Sequence, residues 1–236
     1  MITSANDDLR QHYIEKLRDI VEGRRAIPEL LLTRKTEPGI IHASECELCP
    51  AKVFYKRTLT EMPPLSVMSI LHFAKGRLFE RMIGAALQPV EKDQITCEVD
   101  DIYNGLLVEI KSTTMDMAKF SPLTCHPWWR QRSKAYCYAH DTNKIGLAVW
   151  FLVGESWTKR GGDQRIGIKA WTLEFTKEEL EHNWAYMLEQ RDLILAHIEN
   201  KIFPSSLWIQ SRFKNFECPS CNFNDICVYP QKGVKK

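Results

Sequence analysis

The sequence predicts an α/β fold in which a central mixed sheet carries helices on both faces. Residues 96–111 read as two strand-like runs joined at Asn104-Gly105. That dipeptide is the strongest short-range hairpin signal, because a two-residue type I′ turn needs positive φ at both positions. Residues 145–153 form an apolar run of strand length, which reads as a buried strand. Thr176 stands three residues before Glu179 at the head of a long apolar-periodic segment, the capping-box pattern of a helix N-terminus. Strand groups interleaved with helices define the class.

Taken in order, residues 7–33 read as helical, with Leu9, Ile14, Leu17, Ile20 and Val21 at helical spacing. Pro28 and Pro38-Gly39 punctuate its end, and Met62-Pro63-Pro64-Leu65 is a clear break. Ser66 is an N-cap for a helix reaching about residue 87, whose stripe is Val67, Ile70, Leu71, Ala74, Leu78, Met82 and Ile83. Residues 94–111 switch to strand character, and a helix follows before the strand at 145–153. Gly161-Gly162 is a turn, and residues 165–173 alternate like a strand. The helix after Thr176 carries Leu180, Trp184, Met187, Leu188, Ile194, Leu195 and Ile198, and Pro204 lies beyond it. The last stretch has too few aliphatics for its own core. The expected division is therefore 1–65, an N-terminal helical segment; 66–200, the core; and 201–236, a cysteine-rich tail.

With 236 residues, 44% of them hydrophobic and 26% charged, the chain buries a sizeable core and is not disordered. Its longest apolar run, about 146–154, is far short of the ~20 residues a membrane span needs. The first eight residues lack a basic region followed by an apolar one, so no secretory signal is expected and the expected location is intracellular, in the cytoplasm, away from membranes. A net charge of +2, from 32 basic and 30 acidic residues, does not announce a nucleic-acid binder. It is compatible with a locally basic groove.

Eight cysteines in a chain expected to be intracellular point away from disulfides. Cys46 and Cys49 form C-x2-C, and Cys218, Cys221 and Cys227 form C-x2-C-x5-C. Clustered thiols at such spacings read as zinc or iron–sulfur ligands. Cys97 and Cys137 read as small buried apolar residues.

With Asn104-Gly105 at the turn, Tyr103 pairs with Leu106, Ile102 with Leu107, Asp101 with Val108 and Asp100 with Glu109. Opposed residues share a face with Cβ atoms about 5 Å apart. Period-two alternation adds Lys111 to that face, opposite Glu98, and puts Asp101 on the other. Two carboxylates that close repel, so one is protonated or a cation lies between them. Mg²⁺ is commonly held by one or two carboxylates, waters and phosphate oxygens. A polar sheet face with a cross-strand salt bridge accounts for the same residues.

Asp100 followed by Glu109-Ile110-Lys111 resembles the D…E-x-K signature of the PD-(D/E)XK nucleases. Cys49-Pro50 with Phe54-Tyr55, Gly76-Arg77-Leu78-Phe79-Glu80, and the C-terminal cysteine triplet resemble, in the same order, the RecB-like iron–sulfur nucleases. These include the small CRISPR-associated exonucleases and the AddB-type nuclease domains. The likeness runs from about Cys46 to Cys227. It implies a restriction-endonuclease-like core with a helical iron–sulfur subdomain formed by the N- and C-terminal segments. It implies a 4Fe–4S cluster on Cys49, Cys218, Cys221 and Cys227, with Cys46 as the alternative first ligand. Thiolate count by itself also permits a 2Fe–2S cluster.

The resemblance further implies that Asp100, Glu109, the Ile110 carbonyl and Glu80 hold Mg²⁺ or Mn²⁺, and that Lys111 is the catalytic lysine. Glu80 stands where the CRISPR-associated members usually carry a histidine. The family's Q-x3-Y motif is broken: Gln131 is one residue too far from Tyr136, and Arg132 has the matching spacing. Gln131, Arg132 and Tyr136, with Trp128 and Trp129, are candidates for substrate contact, since tryptophans stack on single-stranded bases and arginines hold phosphates. The implied activity is a metal-dependent deoxyribonuclease, an exonuclease on single-stranded DNA ends. Its partner proteins would be those of recombination, repair or CRISPR adaptation. The competing class is a non-catalytic DNA-binding subunit stabilised by zinc or a cluster on the same cysteines.

Overall fold

Alternation along one strand decides which side of the sheet each helix covers. The computed structural model describes residues 1–21, 39–63, 89–123, 125–151, 167–204, 218 and 221–227. Its elements are β1 (Ile2–Ala5), α1 (Asp7–Val21), β2 (Ile41–His42), α2 (Pro50–Thr58), β3 (Val90–Lys92), β4 (Ile95–Cys97), β5 (Asp101–Tyr103) and β6 (Leu106–Thr113). They continue with α3 (Pro127–Ala139), β7 (Lys144–Phe151), β8 (Gly167–Glu174) and α4 (Lys177–Glu199). On β7, Ile145, Leu147, Val149 and Phe151 pack with Tyr136 of α3 and with Trp184 and Met187 of α4. Ala148 and Trp150 point the other way, to Leu9 and Tyr13 of α1. Gly146 faces α1 at close quarters: a Cβ there would lie 2.7 Å from Leu9 Cδ2.

The main sheet runs β1-β8-β7-β6-β5. Only β6 and β7 are parallel; the other pairs are antiparallel. Parallel neighbours cannot be joined by a tight turn, and α3 lies in the connection between them. The protein is thus a mixed α/β fold with a five-stranded mixed sheet and helices on both faces, as the sequence predicts.

Several elements match closely. The hairpin pairs Asp101 with Val108, Ile102 with Leu107 and Tyr103 with Leu106, the expected register. Asn104 and Gly105 both have positive φ, 49° and 79°. At α4, the Thr176 side chain accepts from the Glu179 N–H at 3.2 Å, and Glu179 accepts from the Thr176 N–H at 3.0 Å. The helix expected over 66–87 and the turn at Gly161-Gly162 lie outside the described residues.

Three features differ. β1 was not legible, and it pairs with β8 from Ile2↔Glu174 to Ala5↔Trp171. Residues 1–21 therefore belong to the main sheet and its α1 cover rather than to a separate helical unit with the tail. The 94–111 stretch is not one hairpin. Its first part, β4, joins a second sheet of order β2-β4-β3, and the expected opposition of Glu98 and Lys111 is not formed, because the β5–β6 ladder ends at Asp101↔Val108 and β4 pairs with β2 and β3 instead. No helix among the described residues is long and apolar enough to cross a membrane.

Candidate functional site

The ladder between β5 and β6 ends at Asp101, and the chain bends at Asp100. The Asp100 N–H still reaches the Val108 carbonyl at 3.1 Å. Its side chain turns along β6, where Oδ2 accepts from the Ile110 N–H at 2.7 Å. Asp101, on the opposite face, is buried against α1 and accepts from Tyr13 Oη at 3.0 Å and from Lys16. The predicted separation of these adjacent aspartates is therefore found, and the bend brings Asp100 beside Glu109 without a regular strand pair.

One positive charge gathers the expected ligand oxygens. Lys111 Nζ ion-pairs Glu109 Oε1, donates to the Ile110 carbonyl at 3.0 Å, and lies 3.7 Å from Asp100 Oδ2. The Glu109 side chain is 1% exposed. Burial, then the charge of Glu109, lifts the Asp100 carboxyl to about 7, against the pull of Lys111 and the Ile110 N–H. Carboxylate oxygens so deeply buried are normally hydrogen-bonded. Two such groups around one ammonium form a donor set of hard oxygens suited to Mg²⁺ or Mn²⁺. Glu80 lies outside the described residues.

Helix α3 supplies the next layer. Arg132 and Tyr136 are four residues apart and so share a face. Arg132 Nη1 lies 3.7 Å from Glu109 Oε1. Burial, then the Glu109 charge, raises the Tyr136 hydroxyl well above its usual range, so it stays protonated. Arg132, the residue with the Q-x3-Y spacing, thus reaches the carboxylates. The Gln131 carbonyl accepts from Asn183 on α4 at 3.0 Å. Trp129 is buried in the core beside Phe120 and His126, so its ring is packed away from any base. Trp128 is half-buried and stacked on His126 at 4.3 Å.

Sequence reasoning missed Glu47. Its Oε2 accepts from Arg132 Nε at 3.1 Å and from Nη2 at 2.7 Å. Nothing in the local pattern marks it, because its partner lies 85 residues on. Glu45, two residues earlier, is also buried, accepting from the His42 N–H at 3.1 Å and from Lys56 and Arg57.

The cysteines separate into two kinds. Cys46 is 1% exposed in the main core, and burial, then the charges of Glu47 and Glu45, pushes its thiol well up. Burial pushes Cys97 and Cys137 up to about 12. All three pack in the main core cluster. Cys49 stands instead at the head of α2, in a small cluster with Ala51 and Phe203. The tail docks beside it: Tyr55 of α2 stacks on Phe223 at 5.5 Å and donates from Oη to the Ile226 carbonyl at 2.9 Å. Within the tail, the Cys221 N–H donates to the Cys218 carbonyl at 3.2 Å. Among the described residues, which include all eight cysteines, there is no disulfide and no group of three or more His, Cys, Asp or Glu that could hold a metal ion. The tail is carried to α2, but the thiols are not gathered around one point.

The class of protein this defines is mixed α/β. No family model matches the chain, and no curated protein does. Among solved structures, the chain is similar to that described as the crystal structure of SSO0001, with a TM-score of 0.53 at 14% identity over 94% of this chain and 96% of that one. At that identity the likeness is one of fold, and it extends over nearly the whole of both chains.

Proposed function

We propose that the protein is a metal-dependent deoxyribonuclease that hydrolyses phosphodiesters at single-stranded DNA ends, on a sheet of restriction-endonuclease type. The observation that carries this reading is the meeting of Asp100 Oδ2, Glu109 Oε1 and the Ile110 carbonyl around Lys111 Nζ, with the Glu109 side chain buried. A purely structural salt bridge has no need of a second carboxylate within reach of the same ammonium.

Asp100, Glu109, the Ile110 carbonyl and Glu80 would hold Mg²⁺ or Mn²⁺. When bound, the cation supplies charge for the phosphate oxygens and lowers the pKa of a water. Lys111, released from the carboxylates, places an ammonium where negative charge develops on the phosphate. Tyr136 stays a hydrogen-bond donor. The Arg132 guanidinium suits phosphate geometry. Bases reach Trp128 but not Trp129.

Cys49, Cys218, Cys221 and Cys227 would hold a 4Fe–4S cluster. Supporting this are the four-thiol donor set and the tail's attachment to α2, the helix that Cys49 opens. No step of the hydrolysis runs through the cluster, whose role would be to fasten the tail. The protein would act inside the cell with partners of recombination, repair or CRISPR adaptation.

The test is cleavage of end-labelled single-stranded DNA by anaerobically purified protein, with Mn²⁺ or with EDTA, beside Lys111→Ala. Cleavage that needs Mn²⁺ and is lost in the variant supports the reading. A wild type that leaves single-stranded and duplex ends intact overturns it.

A further inference from the structure

Arg132 is placed where it ought to close on Glu109 and does not. Glu109 is buried, and its Oε1 is paired with Lys111. An arginine near a carboxylate ordinarily forms a close, often bidentate pair. Here Nη1 stops 3.7 Å from Glu109 Oε1, beyond hydrogen-bond distance. The reason lies on the other side of the guanidinium, where Nε and Nη2 both donate to Glu47 Oε2, at 3.1 and 2.7 Å. Two donors on one oxygen hold the group from its edge.

Glu47 is itself firmly placed. Its side chain is 1% exposed. On one side, Glu45 is tied to Arg57, to Lys56 and to the His42 N–H. On the other, Cys46 is packed in the core. The loop between β2 and α2 therefore presents one carboxylate inward at a fixed point. Arg132 keeps 20% of its side chain exposed and belongs to a helix anchored in the core by Ala135, Tyr136 and Cys137. Its guanidinium donates twice to Glu47, and that pair opposes a shift toward Glu109.

We propose that Glu47 is a positioning residue that holds Arg132 off Glu109 and so leaves the Glu109 carboxylate for a divalent cation. This rests on reading Asp100 and Glu109 as cation ligands. A guanidinium closed on Glu109 would add a second positive charge to the Lys111 already paired with it and fill the space the cation needs. Glu47 also cancels the charge of Arg132, which otherwise repels an incoming cation. Without Glu47, both effects turn against the cation; without Arg132, neither exists and Glu47 has nothing to hold.

The inference is tested by titrating the full-length protein with Mn²⁺ alone, without DNA, and reading the bound ion by electron paramagnetic resonance. Mn²⁺ prefers oxygen donors to thiolates, and Glu109→Gln identifies binding at this site. Glu47→Gln is expected to weaken Mn²⁺ binding roughly tenfold, the scale of one poorly screened neighbouring charge. Arg132→Gln is expected to bind at least as tightly as wild type. The Glu47→Gln/Arg132→Gln double variant is expected to return to the Arg132→Gln value, a non-additivity that general destabilisation does not produce.

An unchanged affinity in Glu47→Gln overturns the proposal, as does a double variant as weak as Glu47→Gln. If Glu47→Gln does not fold, Arg132→Gln decides: weaker binding than wild type sinks the idea. A wild type that binds no Mn²⁺ sinks the cation-site reading first and the inference with it, an outcome distinct from unchanged variants of a Mn²⁺-binding wild type.

Discussion

At the carboxylate face, the bend at Asp100 brings it beside Glu109, and two cations, Lys111 and Arg132, lie near Glu109. At the cysteine end, Tyr55 ties the tail to α2, and no three metal-ligating side chains among the described residues are grouped to hold a metal ion. The first region is assembled before anything binds. The second brings its donors to one neighbourhood and leaves the final closure undone. Chemistry that depends on exact charge placement belongs with the preassembled region; a site completed by its own ligand couples folding to binding. The loop of residues 43–49 touches both, since it presents Glu47 to Arg132 and ends at Cys49.

The sharpest way to break this comparison is Lys111→Ala. On the proposed reading, cleavage falls roughly a thousandfold, the upper range for losing one preorganised stabiliser of developing charge. Thermal unfolding of Asp100→Asn sharpens it. That variant removes a carboxyl lifted by burial and by Glu109, so it is expected to melt no lower than wild type while losing activity. A steep loss of stability would mark the face as structural instead.

Next in size is Glu45→Gln, which strands the buried Arg57. Removing one partner of a buried pair costs about 3 kcal/mol, readable by denaturant titration. Burial pushes Glu45 up, but hydrogen bonding to Arg57, the charges of Lys56 and Arg57 and the His42 N–H more than offset it, leaving the carboxyl below its usual range. Its contribution is therefore complete above the ordinary carboxylate pKa and is lost as pH falls through the lowered one. The gap between wild type and variant should close in acid; a gap that widens there contradicts the assignment.

Smallest is Tyr55→Phe. It deletes the hydrogen bond to Ile226 and keeps the ring stacked on Phe223. The cost is about 1 kcal/mol, and limited proteolysis should show earlier cleavage of the tail with the remaining core intact. Equal protection of the tail in both proteins would mean that something other than Tyr55 holds it.

How much was legible depends on how local each cause is. The type I′ turn at Asn104-Gly105, the capping box at Thr176 and the period of β7 act within a few residues, and each was readable. Arg132 was marked as the residue with the right spacing to Tyr136, but which side of α3 met the carboxylates needed the helix docked. Cys46 and Cys49 are indistinguishable as a C-x2-C pair. Both are buried, and only their surroundings separate them, one in the main core and the other in a small cluster at the head of α2.

Sequence by itself determined the mixed α/β class, the hairpin register and the sharing of one face by Glu109 and Lys111, because side-chain period and turn chemistry are properties of short segments. Tertiary structure decided the rest. β1 is an edge strand because β8 offers it unpaired backbone about 170 residues away. The bend at Asp100, the closeness of three charges to Glu109 and the grip of Glu47 on Arg132 arise where distant segments pack. Their energies depend on burial and on partners that no local pattern contains.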